Sequence, residues 1–148
     1  MRLINNQRHA KTCGQTAVAN ALKSKGVSTS YNEIIKLMGK KAVKFEDVKN
    51  MLIRNDIRFK IINPTFEKMK KELDSGNKMI VLLKWSDGEG GGHYFFLEGY
   101  SSEYFKGVNY YKNNRRYILK KKLANHLRFS YRYYKKHKSG YPKAIVLL

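Results

Sequence analysis

Residues 91–100 read GGHYFFLEGY. A histidine directly after glycines heads an apolar run, Tyr94 through Leu97, which closes on Gly99 and Tyr100. A short continuous apolar run bounded by glycine has the length and flanks of a strand buried on both faces. Upstream, residues 79–85 (MIVLLKW) form a second run of the same kind, and the intervening SDGEGGG at 86–92 is made of turn formers. Two buried strands joined by such a loop predict an antiparallel pair. Further strands are expected at 104–109, at 143–148, and at 57–62, where Ile57, Phe59 and Ile61 alternate with Arg58 and Lys60.

The first half of the chain has a different period. Residues 14–25 carry Ala17, Val18, Ala21 and Leu22 at helical spacing and stop at Gly26, a C-terminal cap position. Cys13 therefore stands at a helix N-terminus. Ser30 with Glu33 three residues on is a capping-box pattern for a helix that Gly39 ends. Val48, Met51 and Leu52 share one face of a helix over 45–54, and Pro64 opens a short one ending near Gly76. A basic helix is expected over 116–129 with Ile118, Leu119, Leu123 and Leu127 inward. Helices first and antiparallel strands afterwards spell α+β, with N-terminal helices packed on a C-terminal antiparallel sheet. The 148 residues suit a single domain spanning 1–148.

With 42% hydrophobic and 13% aromatic residues and two prolines, the chain can build a packed core, which excludes wholesale disorder. No apolar run approaches the roughly 18 residues of a membrane span. The opening MRLINNQRHAK lacks the apolar core of a secretory signal. A lone cysteine forms no internal disulfide and fits a reducing compartment, so the expected location is cytoplasmic. Charge is the loudest feature. The formal net charge is +20, and residues 103–148 hold 13 Lys and Arg against one acid, a net of +12. Such a field favours a polyanionic partner such as nucleic acid, ribosome or an acidic protein surface, unless the lysines simply coat solvated faces. The stretch 128–143, RFSYRYYKKHKSGYPK, interleaves Tyr131, Tyr133 and Tyr134 with cations. It reads either as a base-stacking surface or as a strand with one buried tyrosine face.

A thiol at a helix N-terminus meets free N–H groups and the positive dipole end, which favour thiolate, and Lys11 adds a positive charge. Acyl transfer by a thiolate also needs a histidine to take and deliver the proton, a group to orient that histidine, and oxyanion donors. His93, at the head of its strand, is the candidate base. Asn109, at the far end of the next strand, is the orienting candidate. Gln7, six residues before Cys13, offers an amide NH2 to complement the Cys13 N–H. Gly90, Gly91 and Gly92 beside His93 serve either as a mobile lip of the cleft or as a hairpin needing positive φ. His9, His126 and His137 lie among cations and read as ordinary histidines, His9 at the surface. No metal-ligand cluster and no cofactor motif is found, so neither is expected. Trp85, Phe95 and Phe96 read as core.

Gln7 with Cys13-Gly14, then GGHYFFLEGY and GVN at 107–109, resembles the papain-like cysteine peptidases, most closely the bacteriocin-processing, double-glycine leader group. The resemblance covers nearly the whole chain. It implies a papain-like fold with Cys13 as nucleophile, His93 as general base and acid, Asn109 as third member and Gln7 as oxyanion residue. It also implies a polypeptide substrate cleaved at a peptide or isopeptide bond, after Gly-Gly in the family pattern. Two positions depart from that pattern: Thr12 stands where the family has Asp, and Asn109 replaces its Asp, as Asn does in papain. Acyl transfer to an amine uses the same residues. The alternative function is an inactive peptidase fold serving as a basic nucleic-acid- or ribosome-binding module.

Overall fold

A computed structural model describes residues 11–84, 92–108, 117–137 and 140–148. Helices α1 (Cys13–Ser24), α2 (Tyr31–Met38) and α3 (Phe45–Arg54) come first, followed by strand β1 (Phe59–Ile62) and helix α4 (Phe66–Asp74). Strands β2 (Met79–Lys84), β3 (Gly92–Tyr100), β4 (Tyr104–Val108) and β5 (Tyr117–Leu119) then precede helix α5 (Lys120–His137) and strand β6 (Lys143–Leu147).

Local chemistry sets the helix ends. Gly26 and Gly39, at φ +75° and +81°, take the left-handed turns that stop α1 and α2. The Ser30 hydroxyl accepts the Glu33 N–H at 3.2 Å and starts α2. Thr65 does the same for α4 by accepting Lys68 N–H at 3.2 Å, so the cap is the residue after Pro64.

The strands form one six-stranded sheet in the order β1-β6-β2-β3-β4-β5. Every neighbouring pair is antiparallel. The C-terminal strand thus enters between β1 and β2, where Ile80 of β2 lies opposite both Phe96 and Ile145. β2 is buried along Met79 to Leu83 because both faces of this central strand are covered. On one face Ile80, Leu82, Tyr94, Phe96 and Ile145 pack against Ala17, Val18 and Leu22 of α1, with α2 and α3 behind. On the other, Val81, Leu83, Phe95, Leu97 and Val146 pack against Met69 of α4 and Leu123 and Leu127 of α5. Phe95 and Phe96 are core on opposite faces, as period-two alternation requires.

The expected helix over 116–129 is corrected at both ends. Residues 117–119 are edge strand β5, with Phe105 opposite Ile118, and Leu119 is 49% exposed rather than inward. Leu119 keeps helical spacing with Leu123 and Leu127, but pairing with β4 satisfies the backbone at 117–119 and takes precedence. Beyond Phe129 the helix continues to His137, which places Tyr131, Tyr133 and Tyr134 on a helix and removes the strand reading. The buried set Leu123, His126, Leu127 and Ser130 recurs every three or four residues, so the sheet-facing stripe holds the helical period. His126 lies in that stripe at 2% exposure despite its cationic neighbours.

Phe96 has no exposed surface, so Phe96→Ala is expected to cost about 3–5 kcal/mol, while Ser30→Ala, which removes one cap hydrogen bond, costs about 1 kcal/mol. Urea unfolding midpoints at unchanged slope measure both; equal losses would contradict this placement of the core.

Candidate active site

Cys13 is the first residue of α1, and what precedes it leaves the helix end open. Thr12 occupies the N-cap position without making a side-chain cap hydrogen bond. Its buried hydroxyl accepts from Tyr31 Oη at 2.8 Å, so the position departing from the family pattern ties α2 to the start of α1. Lys11, just before it, holds φ +65°, a conformation rare for a residue with a side chain.

The amides at this helix end face the sulfur. Burial pushes the Cys13 thiol above its ordinary range, and the N–H groups of Tyr94, Gly14 and Cys13 itself pull it back only in part. Three backbone donors therefore converge on the sulfur, where negative charge appears when its proton leaves.

Tyr94 is the residue after His93, so its amide brings β3 to the sulfur one residue from the candidate base. His93 itself lies opposite Leu83 in the β2–β3 ladder. The described β3–β4 pairing ends at Phe96 opposite Val108, the residue before Asn109. Gln7 and Asn109 lie outside the described residues, as do His9, Trp85, Gly90 and Gly91.

Two glycines allow this close approach. A Cβ on Gly14 would collide with Val43 Cγ2 and press within 3.3 Å of the Tyr94 ring. The Tyr94 hydroxyl donates onward to Val43 C=O at 3.4 Å. Gln15 anchors the same loop, donating to the carbonyls of Gly39 at 2.8 Å and Lys41 at 2.6 Å. At the other side of the site, a Cβ on Gly92 would overlap the ring and hydroxyl of Tyr141. Gly92 is therefore a strand residue paired with Lys84, required for the seating of a ring; for this position neither a lip nor a positive-φ hairpin is the reason for glycine.

Tyr94 and Tyr141 are the residues that sequence reasoning missed. Burial raises the phenol of each, and the charge of a Cys13 thiolate raises it further, so both hydroxyls sit within electrostatic reach of the sulfur. Tyr94 was legible only as a core residue of a strand, and Tyr141 only as one more tyrosine before Pro142. Tyr141 is held edge-on to Tyr133, ring centroids 6.1 Å apart, and the Lys84 ammonium lies 4.8 Å over the Tyr133 ring. Ser130 fastens α5 to this corner by accepting Lys84 N–H at 2.9 Å.

The chain matches the family described as Peptidase_C39 like family over residues 3–139. The chain belongs to that family. As a member of the Peptidase_C39 like family it is a cysteine peptidase, and its α+β fold is that of the papain-like C39 peptidase domains. The peptidase domain of Streptococcus ComA, a bifunctional ABC transporter involved in a quorum-sensing pathway, superposes with a TM-score of 0.68 at 13% identity, over 96% of this chain and 94% of that one. A double glycine motif protease from an AMS/PCAT transporter, in complex with the leader peptide, gives 0.67 at 14% identity over 99% and 90%. A C39-like peptidase from Bacillus anthracis gives 0.67 at 10% over 99% and 94%. At these identities the likeness is one of fold. No curated protein matches the chain.

Gly92→Ala is expected to destabilise the fold by forcing the Tyr141 ring from its seat, and Tyr141→Ala in the same chain should recover much of the loss. A double-mutant cycle from urea unfolding should give a coupling of about 1 kcal/mol or more; additive losses would mean the ring does not press on residue 92.

Proposed function

We propose that the chain hydrolyses a peptide or isopeptide bond in a polypeptide through Cys13, His93 and Asn109, with Gln7 and the Cys13 N–H as oxyanion donors. The observation that supports this most directly is the Cys13 sulfur at the head of α1, facing the backbone amide of the residue next to His93. A thiol whose burial opposes ionisation needs a base to take its proton, and His93 is the titratable side chain that the β3 register brings to this end of the strand.

His93 takes the Cys13 proton as the sulfur attacks the substrate carbonyl carbon, and the carbonyl oxygen gains the negative charge that Gln7 and the Cys13 N–H hold. Collapse of the tetrahedral adduct breaks the C–N bond, and His93 returns the proton to the departing amine. Water, deprotonated by His93, then attacks the thioester; the acid leaves and the thiol is restored. Asn109 accepts the other imidazole N–H and fixes the ring without adding a charge.

The surroundings favour a cleaved position without side chains. Gly14 is pressed by Val43 and Tyr94 and Gly92 by Tyr141, so the backbone on both sides of the site is already at the limit of approach, which suits glycine on the acyl side. The solved relative bound to a leader peptide is described as a double glycine motif protease, which supports a polypeptide substrate of that kind. A free thiol nucleophile suits a reducing, cytoplasmic setting. Among the described residues no helix is long and apolar enough to cross a membrane.

Iodoacetamide labelling and peptide turnover test the assignment. Wild-type labelling should be fast near neutral pH. In His93→Ala nothing takes the proton of the buried thiol, so labelling should rise only above the ordinary thiol value of about 8.5. Turnover should vanish in Cys13→Ala, fall roughly 10²–10⁴-fold in His93→Ala and about 10²–10³-fold in Gln7→Ala. Asn109→Asp should retain more turnover than Asn109→Ala, because a carboxylate still accepts the imidazole N–H. Labelling of Cys13 that ignores His93 would remove the catalytic reading and leave the inactive binding module. A product heavier by an amine rather than by water would make the reaction acyl transfer.

A further inference from the structure

Tyr141 has a second side. Away from Gly92 it lines a cleft of about 140 Å³ together with Asn63, Tyr131, Tyr134, Pro142 and Lys143. We propose that this cleft binds an acidic segment of the polypeptide substrate, seating an apolar or ring side chain on the tyrosines and Pro142 and its carboxylates on Lys143 and Lys135. The inference rests on the peptidase reading for one point only, that the bound chain is the substrate.

The cleft is smaller than the several hundred Å³ of a typical small-molecule pocket, so it suits one side chain of a polymer gripped along its flanks. Two walls are fixed in place: Tyr131 Oη donates to Pro64 C=O at 2.8 Å, and Lys143 Nζ donates to Asn63 Oδ1 at 3.3 Å. Tyr134, 47% exposed, is left for a ligand to cover. Lys135 stands one turn beyond Tyr131 and so shares its side of α5.

Charge names the ligand class. α5 carries Lys120, Lys121, Lys122, Arg128, Arg132, Lys135 and Lys136 without one acid. The ion pairs Lys49 with Glu46 and Lys60 with Glu72 lie away from Lys135 and Lys143. A positive field over a tyrosine-lined slot selects a partner that brings carboxylates together with flat or apolar groups. Nucleic acid shares the charge, but the polymer that must reach Cys13 is a polypeptide, and Tyr141 joins this cleft to the Cys13 side of the sheet.

Full-length Cys13→Ala binds substrate without turnover, so affinity can be read by fluorescence anisotropy independently of catalysis. The probes are a fluorescein-labelled peptide of repeated Glu-Phe-Asp-Pro and its amide counterpart of repeated Gln-Phe-Asn-Pro. The acidic peptide should bind at least about tenfold tighter and lose most of that margin as NaCl rises from roughly 50 to 500 mM. Lys135→Glu and Tyr134→Ala, both at exposed positions, should each weaken it about fivefold or more, while Lys36→Glu on α2 should not. In the wild type, saturating acidic peptide should slow iodoacetamide labelling of Cys13. Equal affinity for the two peptides, indifference to Lys135→Glu, unchanged labelling of Cys13, or tighter binding of labelled oligo-dT would each overturn the proposal. Loss of His93-dependent labelling with peptide binding intact would instead count against the peptidase reading and leave the acidic-peptide site standing.

Discussion

The seating of the α1 N-terminus on β3 is the contact on which the rest of the arrangement depends. A helix end carries amides without intrahelical partners, and such an end is normally closed by a side-chain cap. Here Thr12 is occupied with Tyr31, and a sulfur takes the place of the cap. Closing that end against a strand requires the first turn of the helix and the strand to pack closely. Gly14 makes this possible, since any side chain there would meet Val43 and Tyr94. The two-residue motif Cys-Gly therefore combines a reactive group with the space that lets it reach the strand.

The electrostatics follow from the same contact. Burial raises the thiol, and the three amide donors offset part of that rise by favouring negative charge on the sulfur. The two phenols beside it are raised by burial and by the prospective thiolate, which keeps them neutral and able to donate. The Tyr94 hydroxyl is spent on Val43 C=O, so the donors that meet a developing anion on the sulfur are the backbone amides of Cys13, Gly14 and Tyr94.

The far face of the sheet shows how the strongly basic end of the chain is accommodated. α5 turns Leu123, His126, Leu127 and Ser130 inward and leaves its cations outward, so the charge does not enter the core. Ser130 and Lys84 then register the helix against the end of β2, directly across the ladder from Gly92. The basic helix thus supplies, through Ser130 and Tyr133, part of the corner that seats Tyr141.

Much of this was legible in the sequence because it is local. The capping residues Ser30 and Gly39, the stop at Gly26, the strands at 79–84 and 92–100 and the helix placement of Cys13 depend on neighbours a few residues away. α+β followed from the succession of helical and strand periods, and the papain-like fold was implied by the resemblance carried by Cys13-Gly14 and GGHYFFLEGY. What lay beyond it depends on contacts distant in sequence. Residues 117–119 have a pattern compatible with helix, and only β4 beside them makes a strand. Tyr131, Tyr133 and Tyr134 alternate with cations in either geometry, and the sheet beneath α5 selects the helix. Gly92 and Tyr141 are 49 residues apart, and nothing short-range in either stretch says that one is small because the other is large. Insertion of the last strand between β1 and β2 carries Tyr141, just ahead of it, to the head of β3. Packing between distant segments, which a one-dimensional pattern does not encode, decided the walls of the site.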